Sequence, residues 1–158
     1  MRMRQNVRLG SVPLFALLAG CGGDRRGDGV TPQTADAGRV TFEKFCAACH
    51  GVDGTGSETG IPPLAGSAWV RGPQSRLIRI VLHGLRGPID VGAATYNLEM
   101  PGFGPVVSDA ETAAVLTYIR SRFGRRADRI TAETVGKVRR ATRDRTTYWT
   151  AQELLAVP

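Results

Sequence analysis

Large side chains are scarce in this chain of 158 residues: aromatics make up 6% of it, while it holds 20 glycines and 9 prolines. A core built from so few bulky groups leaves volume for something other than side chains to fill. Cysteine numbers only 3 and histidine only 2. A framework of several disulfides is therefore excluded, and a zinc site would have to draw on nearly all the sulfur and imidazole ligands present. No apolar run approaches the roughly 20 residues that a membrane-spanning helix needs. No segment alternates as a half-buried strand does, and no internal repeat is visible. The length suits one domain with appendages.

Residues 1–20 read as an export leader, with MRMRQNVR as a cationic start and LGSVPLFALLAG as a short apolar run ending in small residues. Cys21 follows at once, and LLAGC resembles the lipobox of bacterial lipoproteins, in which cleavage precedes a cysteine whose sulfur carries lipid. The plainer alternative is an ordinary cleaved leader followed by an unrelated cysteine. On the lipoprotein reading, residues 21–33 are the lipidated Cys21 and a flexible tether rich in glycine and charge. Several acyl chains would then hold the protein on a membrane of the bacterial cell envelope, facing the periplasm. Gly22, rather than aspartate, favours the outer membrane by analogy with sorting in enteric bacteria. Such a compartment tolerates oxidised thiols. With Cys21 assigned, Cys46 and Cys49 are the remaining thiols.

The formal charge of +7 falls to +4 once Arg2, Arg4 and Arg8 leave with the leader. Residues 34–123 are balanced, with 8 basic and 8 acidic side chains, whereas residues 124–145 hold 8 basic against 3 acidic. Without interleaved base-stacking aromatics, and in an exported protein, this basic stretch is not a nucleic-acid site. It reads as a solvated helix face, or as a docking surface for an acidic partner or anionic lipid.

A domain is expected over residues 34–123, followed by a basic C-terminal extension over 124–158. Thr34 can cap a helix of about 35–48, in which Val40, Phe42, Phe45 and Ala48 recur in helical rhythm. A long loop rich in glycine and proline follows. Pro73 opens a short helix carrying Leu77, Ile80 and Val81 and closing at Gly84. After a second irregular stretch, Ser108 and Glu111 form a capping box for a helix of about 109–122, which Gly124 stops. In the extension, a helix from Thr131 and another behind a Thr150/Glu153 capping box complete an all-α reading with long loops wrapped around something.

The cluster FCAACHG, residues 45–51, concentrates two of the three cysteines and one of the two histidines. A thioredoxin-like pair would follow a strand and open a helix, yet this pair closes a helix. A zinc site would have to find its further ligands beyond His50, and only His83 remains, in a different helix. The third chemistry is covalent haem attachment, the meaning of Cys-x-x-Cys-His. One helical turn presents Cys46 and Cys49 on one face to the two vinyl groups, with His50 beneath the metal. The macrocycle would also supply the missing core volume.

An iron held by His50 that only exchanges electrons needs a second axial ligand. Met1 and Met3 leave with the leader, so Met100 in NLEMPGF is the remaining thioether, a ligand type that favours ferrous iron and raises the potential. His83 is the competing candidate, although its place at a helix end fits a cap or surface role.

These features resemble the class I, mono-haem c-type cytochromes. The likeness covers residues 35–123 and rests on CAACH, on MPGF some fifty residues later, and on a closing helix containing VLTYIR. It implies the class I cytochrome c fold, with helices wrapped around one covalently attached haem c. It also implies a crossing of the first and last helices at Gly38, Phe42, Val115 and Tyr118, where a glycine permits close approach. By the same resemblance Pro63 supplies the carbonyl that orients His50 through its other ring nitrogen, and Leu64 packs on the haem. Trp69 and Arg71 are candidates to meet a propionate.

The function implied is that of a one-electron carrier, without catalytic residues of its own, anchored to a membrane by lipid. Its partners would be redox proteins: a donor dehydrogenase or quinol-oxidising complex, and an acceptor oxidase or cytochrome. The extension looks like those on cytochrome modules that accompany periplasmic quinoprotein dehydrogenases. An enzyme of peroxidase type is the alternative from another class, and it would need an open sixth position with a distal acid or base.

Overall fold

The computed structural model describes residues 32–57, 60–126 and 128–157. The expected leader and Cys21 lie outside the described residues. So does the tether up to residue 31, while its last two positions, Pro32 and Gln33, open the first helix. Thr34 therefore sits inside a helix instead of capping it.

Helix α1 spans Pro32–Phe45 and is followed, after a single turn residue at Cys46, by the short α2 over Ala47–His50. The continuous helix expected to residue 48 is thus interrupted at the first thiol. The hydrogen-bond ladder nonetheless carries across the break, with Cys46 N donating to Phe42 O at 2.8 Å and His50 N to Cys46 O at 2.9 Å. Phe42 is buried and Phe45 half-buried, but Val40 is 56% exposed and Ala48 is exposed too, so the helical rhythm overstated the buried face by two residues. After the glycine-rich loop come α3 over Ala68–Arg71 and α4 over Gln74–His83. Pro73 caps α4 from outside the helix.

The all-α expectation needs a correction. Two antiparallel ribbons join the helices: β1 (Gly84–Leu85) pairs with β4 (Met100–Pro101), and β2 (Ile89–Val91) with β3 (Ala94–Tyr96). Strands of two or three residues are too short for alternation to register in a sequence. Their pairing depends on where the loops return, with Leu85 opposite Met100 and Ile89 opposite Tyr96.

Helix α5, Asp109–Arg122, begins at the expected capping box: Glu111 N donates to Ser108 Oγ at 3.2 Å, and Ser108 N donates to Glu111 Oε2 at 2.8 Å. Thr112, Val115, Leu116, Thr117, Ile119 and Arg120 are all buried, so neighbours surround most of the helix. On one side α1 crosses it, bringing the Phe42 ring to 5.5 Å from Tyr118 and 5.4 Å from Phe123, centroid to centroid. On another, the extension closes over it with α6 (Ala132–Ala141), and then α7 (Ala151–Leu155) starts behind a Thr150/Glu153 capping box.

The extension contributes to the interior. Ile130, Val135 and Val138 join the main apolar cluster of Phe42, Ile78, Leu116 and their neighbours, and Leu154 joins a second cluster with Ile80, Leu85, Ile89 and Val91. Arg120 ties these parts together although it is only 2% exposed. Its guanidinium donates to Val70 O at 2.9 Å, to Gly72 O at 2.7 Å and to Asp128 Oδ2 at 2.6 Å. Among the described residues no helix is long and apolar enough to cross a membrane.

Candidate functional site

The turn at Cys46 and the short helix α2 place two thiols and an imidazole on the wall of an apolar hollow. Cys46 is half-buried and Cys49 exposed, and neither is in a disulfide. Burial, aided by the neighbouring Cys49, pushes the Cys46 thiol up to about 11. A redox dithiol of thioredoxin type works by the opposite shift on its first thiol, so Cys46 lacks that activation.

His50 donates from Nδ1 to the Pro62 carbonyl at 3.2 Å, which leaves the lone pair on Nε2. Burial lowers the ring's pKa, outweighing the opposite effect of the Pro62 hydrogen bond. The imidazole is therefore neutral at neutral pH and fit to bind a metal. The carbonyl expected on this ring was that of Pro63, and the structure corrects it by one residue. Ser57 N to Ile61 O at 3.1 Å and Leu64 N to Gly54 O at 2.8 Å set the register of the loop, and in that register Pro62 O faces the ring. Pro63 and Leu64 instead contribute to the cavity wall.

Met100 arrives from the other side on β4, half-buried and packed against both apolar clusters. Two adjoining hollows, partly open to solvent, lie against the cluster, and Cys46, His50, Pro62, Leu85, Ile89 and Met100 border both. Tyr96, Leu98 and Phe103 extend the first wall, and Leu64, Leu77 and Ile119 the second. Protein interiors are normally close-packed, so two adjoining apolar hollows that share a wall of Cys46, His50 and Met100 suit an apolar occupant. The donor set agrees: two thiols for thioether bonds, a neutral imidazole and a thioether sulfur suit a haem.

Other candidates are engaged elsewhere in the fold. His83 borders neither cavity, and its Nε2 instead meets Thr142 Oγ1 at 2.7 Å. Trp69 borders the second cavity but donates its indole N–H to Asp90 O at 2.9 Å, and Arg71 donates to Gly66 O at 2.7 Å. Among the described residues no three His, Cys, Asp or Glu side chains converge as a metal cluster. Sequence reasoning missed Pro62 and the walls at Leu85, Ile89 and Tyr96. The walls belong to the ribbons, whose only sequence trace is two short segments with β-branched or aromatic residues, Ile89–Val91 and Ala94–Tyr96.

The family model for cytochrome c matches residues 35–123. The chain belongs to the cytochrome c family. It accordingly carries covalently bound haem c, one for a single cytochrome c domain, and the apolar hollow lies beside CAACH. Among curated relatives, the fructose dehydrogenase cytochrome subunit of Gluconobacter japonicus is 31% identical over 122 residues, 73% of this chain and 24% of that one. The cytochrome c subunit of a quinone alcohol dehydrogenase from Gluconacetobacter polyoxogenes is 36% identical over 105 residues, 65% of this chain and 22% of that one. The cbb3-type cytochrome c oxidase subunit FixP of Azorhizobium caulinodans is 34% identical over 88 residues, 55% of this chain and 29% of that one. The chain thus spans between a fifth and a third of the length of these relatives.

Proposed function

We propose that this cytochrome is a one-electron carrier whose haem is bonded through Cys46 and Cys49 and held axially by His50 and Met100. The observation that carries this reading is that His50 and Met100, from elements 50 residues apart, border the same two cavities as Cys46. Bound haem supplies the ferric/ferrous couple; the protein's part is to hold both axial side chains in place. The Pro62 carbonyl fixes the His50 tautomer and strengthens it as a ligand. The half-buried setting of Met100 presents a thioether, which raises the potential.

An enzymatic role finds little support in the same hollow. Besides Cys46, Cys49 and His50, the titratable groups on its walls are Tyr96 and Glu99, and Glu99 is held by Arg86 at 2.6 Å. Neither is poised as a distal acid or base next to a vacant coordination position.

The relatives support one partner class. Two of the three described above are named as cytochrome subunits of dehydrogenases, and one of these matches over 122 residues, more than residues 35–123 contain. Acceptance of electrons from a periplasmic quinoprotein dehydrogenase is the preferred role, with an oxidase as the onward partner. LLAGC at residues 17–21 supports attachment to the envelope through lipid on Cys21.

Protein matured in a haem-attaching bacterium tests the proposal. Pyridine haemochrome analysis is expected to return one haem c per chain, and redox titration a single one-electron wave. Ferrous protein is expected to bind carbon monoxide poorly, because both axial positions are filled. Rapid, tight binding of carbon monoxide would overturn the carrier reading in favour of an open site, and unlipidated Cys21 in the mature peptide would overturn the anchor.

A further inference from the structure

Residues 124–158 lie beyond the span that the family model matches, yet they grip the segment that carries Met100 from both sides. On the downstream side, Arg139 of α6 spreads its guanidinium over the connection from β4 to α5. It donates to Gly104 O at 2.7 Å, to Val107 O at 2.9 Å and to Asp109 Oδ1 at 2.7 Å. A planar fork reaching two carbonyls and a carboxylate defines a geometry that a single point charge does not. On the other side, Trp149 N donates to Gly84 O at 3.2 Å and Arg86 N to Trp149 O at 2.8 Å. Trp149 thus forms a parallel bridge to Leu85 of β1, whose opposite partner is β4 with Met100 at Leu85. The Trp149 side chain packs against the same apolar cluster as Met100 does.

The gripped segment has little stiffness of its own, since Gly102 and Gly104 fall within it. Both glycines lie close against the end of α4, where a Cβ on Gly102 would meet His83 Cα at 2.8 Å and one on Gly104 would meet Leu82 O at 2.6 Å. Phe103 N and Gly104 N donate to Val81 O at 2.8 Å and Leu82 O at 3.0 Å, so the same helix end also holds the segment. His83 at that helix end bonds in turn to Thr142 at the end of α6. Order imposed by these contacts is order that ligation by Met100 does not have to create.

We infer that the C-terminal extension is a clamp that keeps Met100 in place as an axial ligand, with Arg139 and Trp149 as positioning residues. The inference rests on the assignment of Met100 as ligand made above. It places a determinant of ligand persistence in a part of the chain whose described residues do not line either cavity.

The test compares full-length holoprotein with Arg139→Gln, with a chain ending at Thr146, and with Met100→Leu. The readouts are hydrogen exchange at the Phe103, Gly104 and Val107 amides, the thioether-to-ferric-iron absorption band, the midpoint potential and the rate of carbon monoxide binding. Arg139→Gln is expected to keep one haem per chain while those amides exchange about tenfold faster through local opening. Its carbon monoxide binding is expected to accelerate in parallel, and the truncated chain to go further in the same direction. Wild-type exchange, potential and carbon monoxide kinetics in Arg139→Gln would overturn the clamp, whether or not the truncated chain folds. If Met100→Leu leaves band and potential unchanged, the ligand assignment fails and the clamp fails with it. If Met100→Leu alters both while Arg139→Gln alters nothing, the ligand stands and only the clamp is lost.

Discussion

Gly38 of α1 lies against Tyr118 of α5 so closely that a Cβ on the glycine would come within 2.6 Å of the Tyr118 Cβ and would overlap the Ala114 carbonyl oxygen. The obstruction on the α5 side is largely backbone, which cannot swing aside as a flexible side chain can. Gly38→Ala is therefore expected to force the two helices apart and to cost about 2–3 kcal/mol, as overpacking of a tight contact does. Denaturant unfolding of the holoprotein measures it; stability within 0.5 kcal/mol of wild type, the scale of an ordinary surface substitution, would show that the crossing tolerates a side chain.

Met100→Ala removes the proposed thioether while leaving the Cys46, Cys49 and His50 cluster intact. Haem content is expected to stay at one per chain, the thioether band to disappear and ferrous protein to bind carbon monoxide readily. The midpoint potential is expected to drop by more than about 59 mV, the equivalent of a tenfold change in relative affinity for a one-electron couple. An unchanged visible spectrum and potential would remove Met100 from the ligand set.

Gly56 has φ +76°, and a Cβ there would come within 2.9 Å of the Pro62 carbonyl carbon, with the Ile61 carbonyl oxygen closer still. Gly56→Ala should displace the segment whose Pro62 oxygen holds His50, weakening the ligand as loss of such a hydrogen bond does. Gly66, at φ +72° with no atom within 4 Å of the same construction, is the control. Gly66→Ala is expected to cost about 1–2 kcal/mol for the left-handed backbone alone and to leave the spectrum untouched. Identical potentials and haem yields for the two variants would mean that the Pro62 loop does not govern His50.

Asp128 supplies a pH dependence with a defined sign. Burial pushes its carboxyl up, but hydrogen bonds from Gln74 and Arg120, the charge of Arg120 and a bond from Arg126 prevail and hold it at about 2, below its ordinary 3.8. A depressed folded-state value means that the group stabilises the fold fully above pH 4 and loses that contribution as the pH falls through 2. Asp128→Asn is expected to cost about 2 kcal/mol at pH 7, since Arg120 keeps its bonds to the Val70 and Gly72 carbonyls. It is also expected to flatten the stability profile between pH 4 and 2. A profile parallel to wild type over that window would show that the acid sensitivity arises elsewhere.

Features read correctly from the sequence are those whose physics is local. The Ser108/Glu111 and Thr150/Glu153 capping boxes each close within one helical turn, and the structure forms both. The span of α5 follows from its cap and from its apolar spacing. Cys46, Cys49 and His50 come together because five consecutive residues around one turn can bring them nowhere else. By contrast, the break at Cys46, the carbonyl chosen by His50 and the two ribbons were misread or invisible. Each depends on the register between segments far apart in the chain, such as Gly54 with Leu64 or Leu85 with Met100.

The extension shows the division most clearly. Composition identified residues 124–145 as basic and suggested a surface role, yet Arg139 and Arg145 are largely engaged within the fold, with Asp109 and Glu153 as partners. The sequence by itself determined the chemistry at hand: thiols, an imidazole and one late thioether, because residue types and short spacings are written in it directly. Tertiary structure alone decided which proline oxygen faces the imidazole, what walls the hollow, and that the last thirty residues close on the segment bearing Met100. Those outcomes come from packing and loop register, which no local pattern encodes.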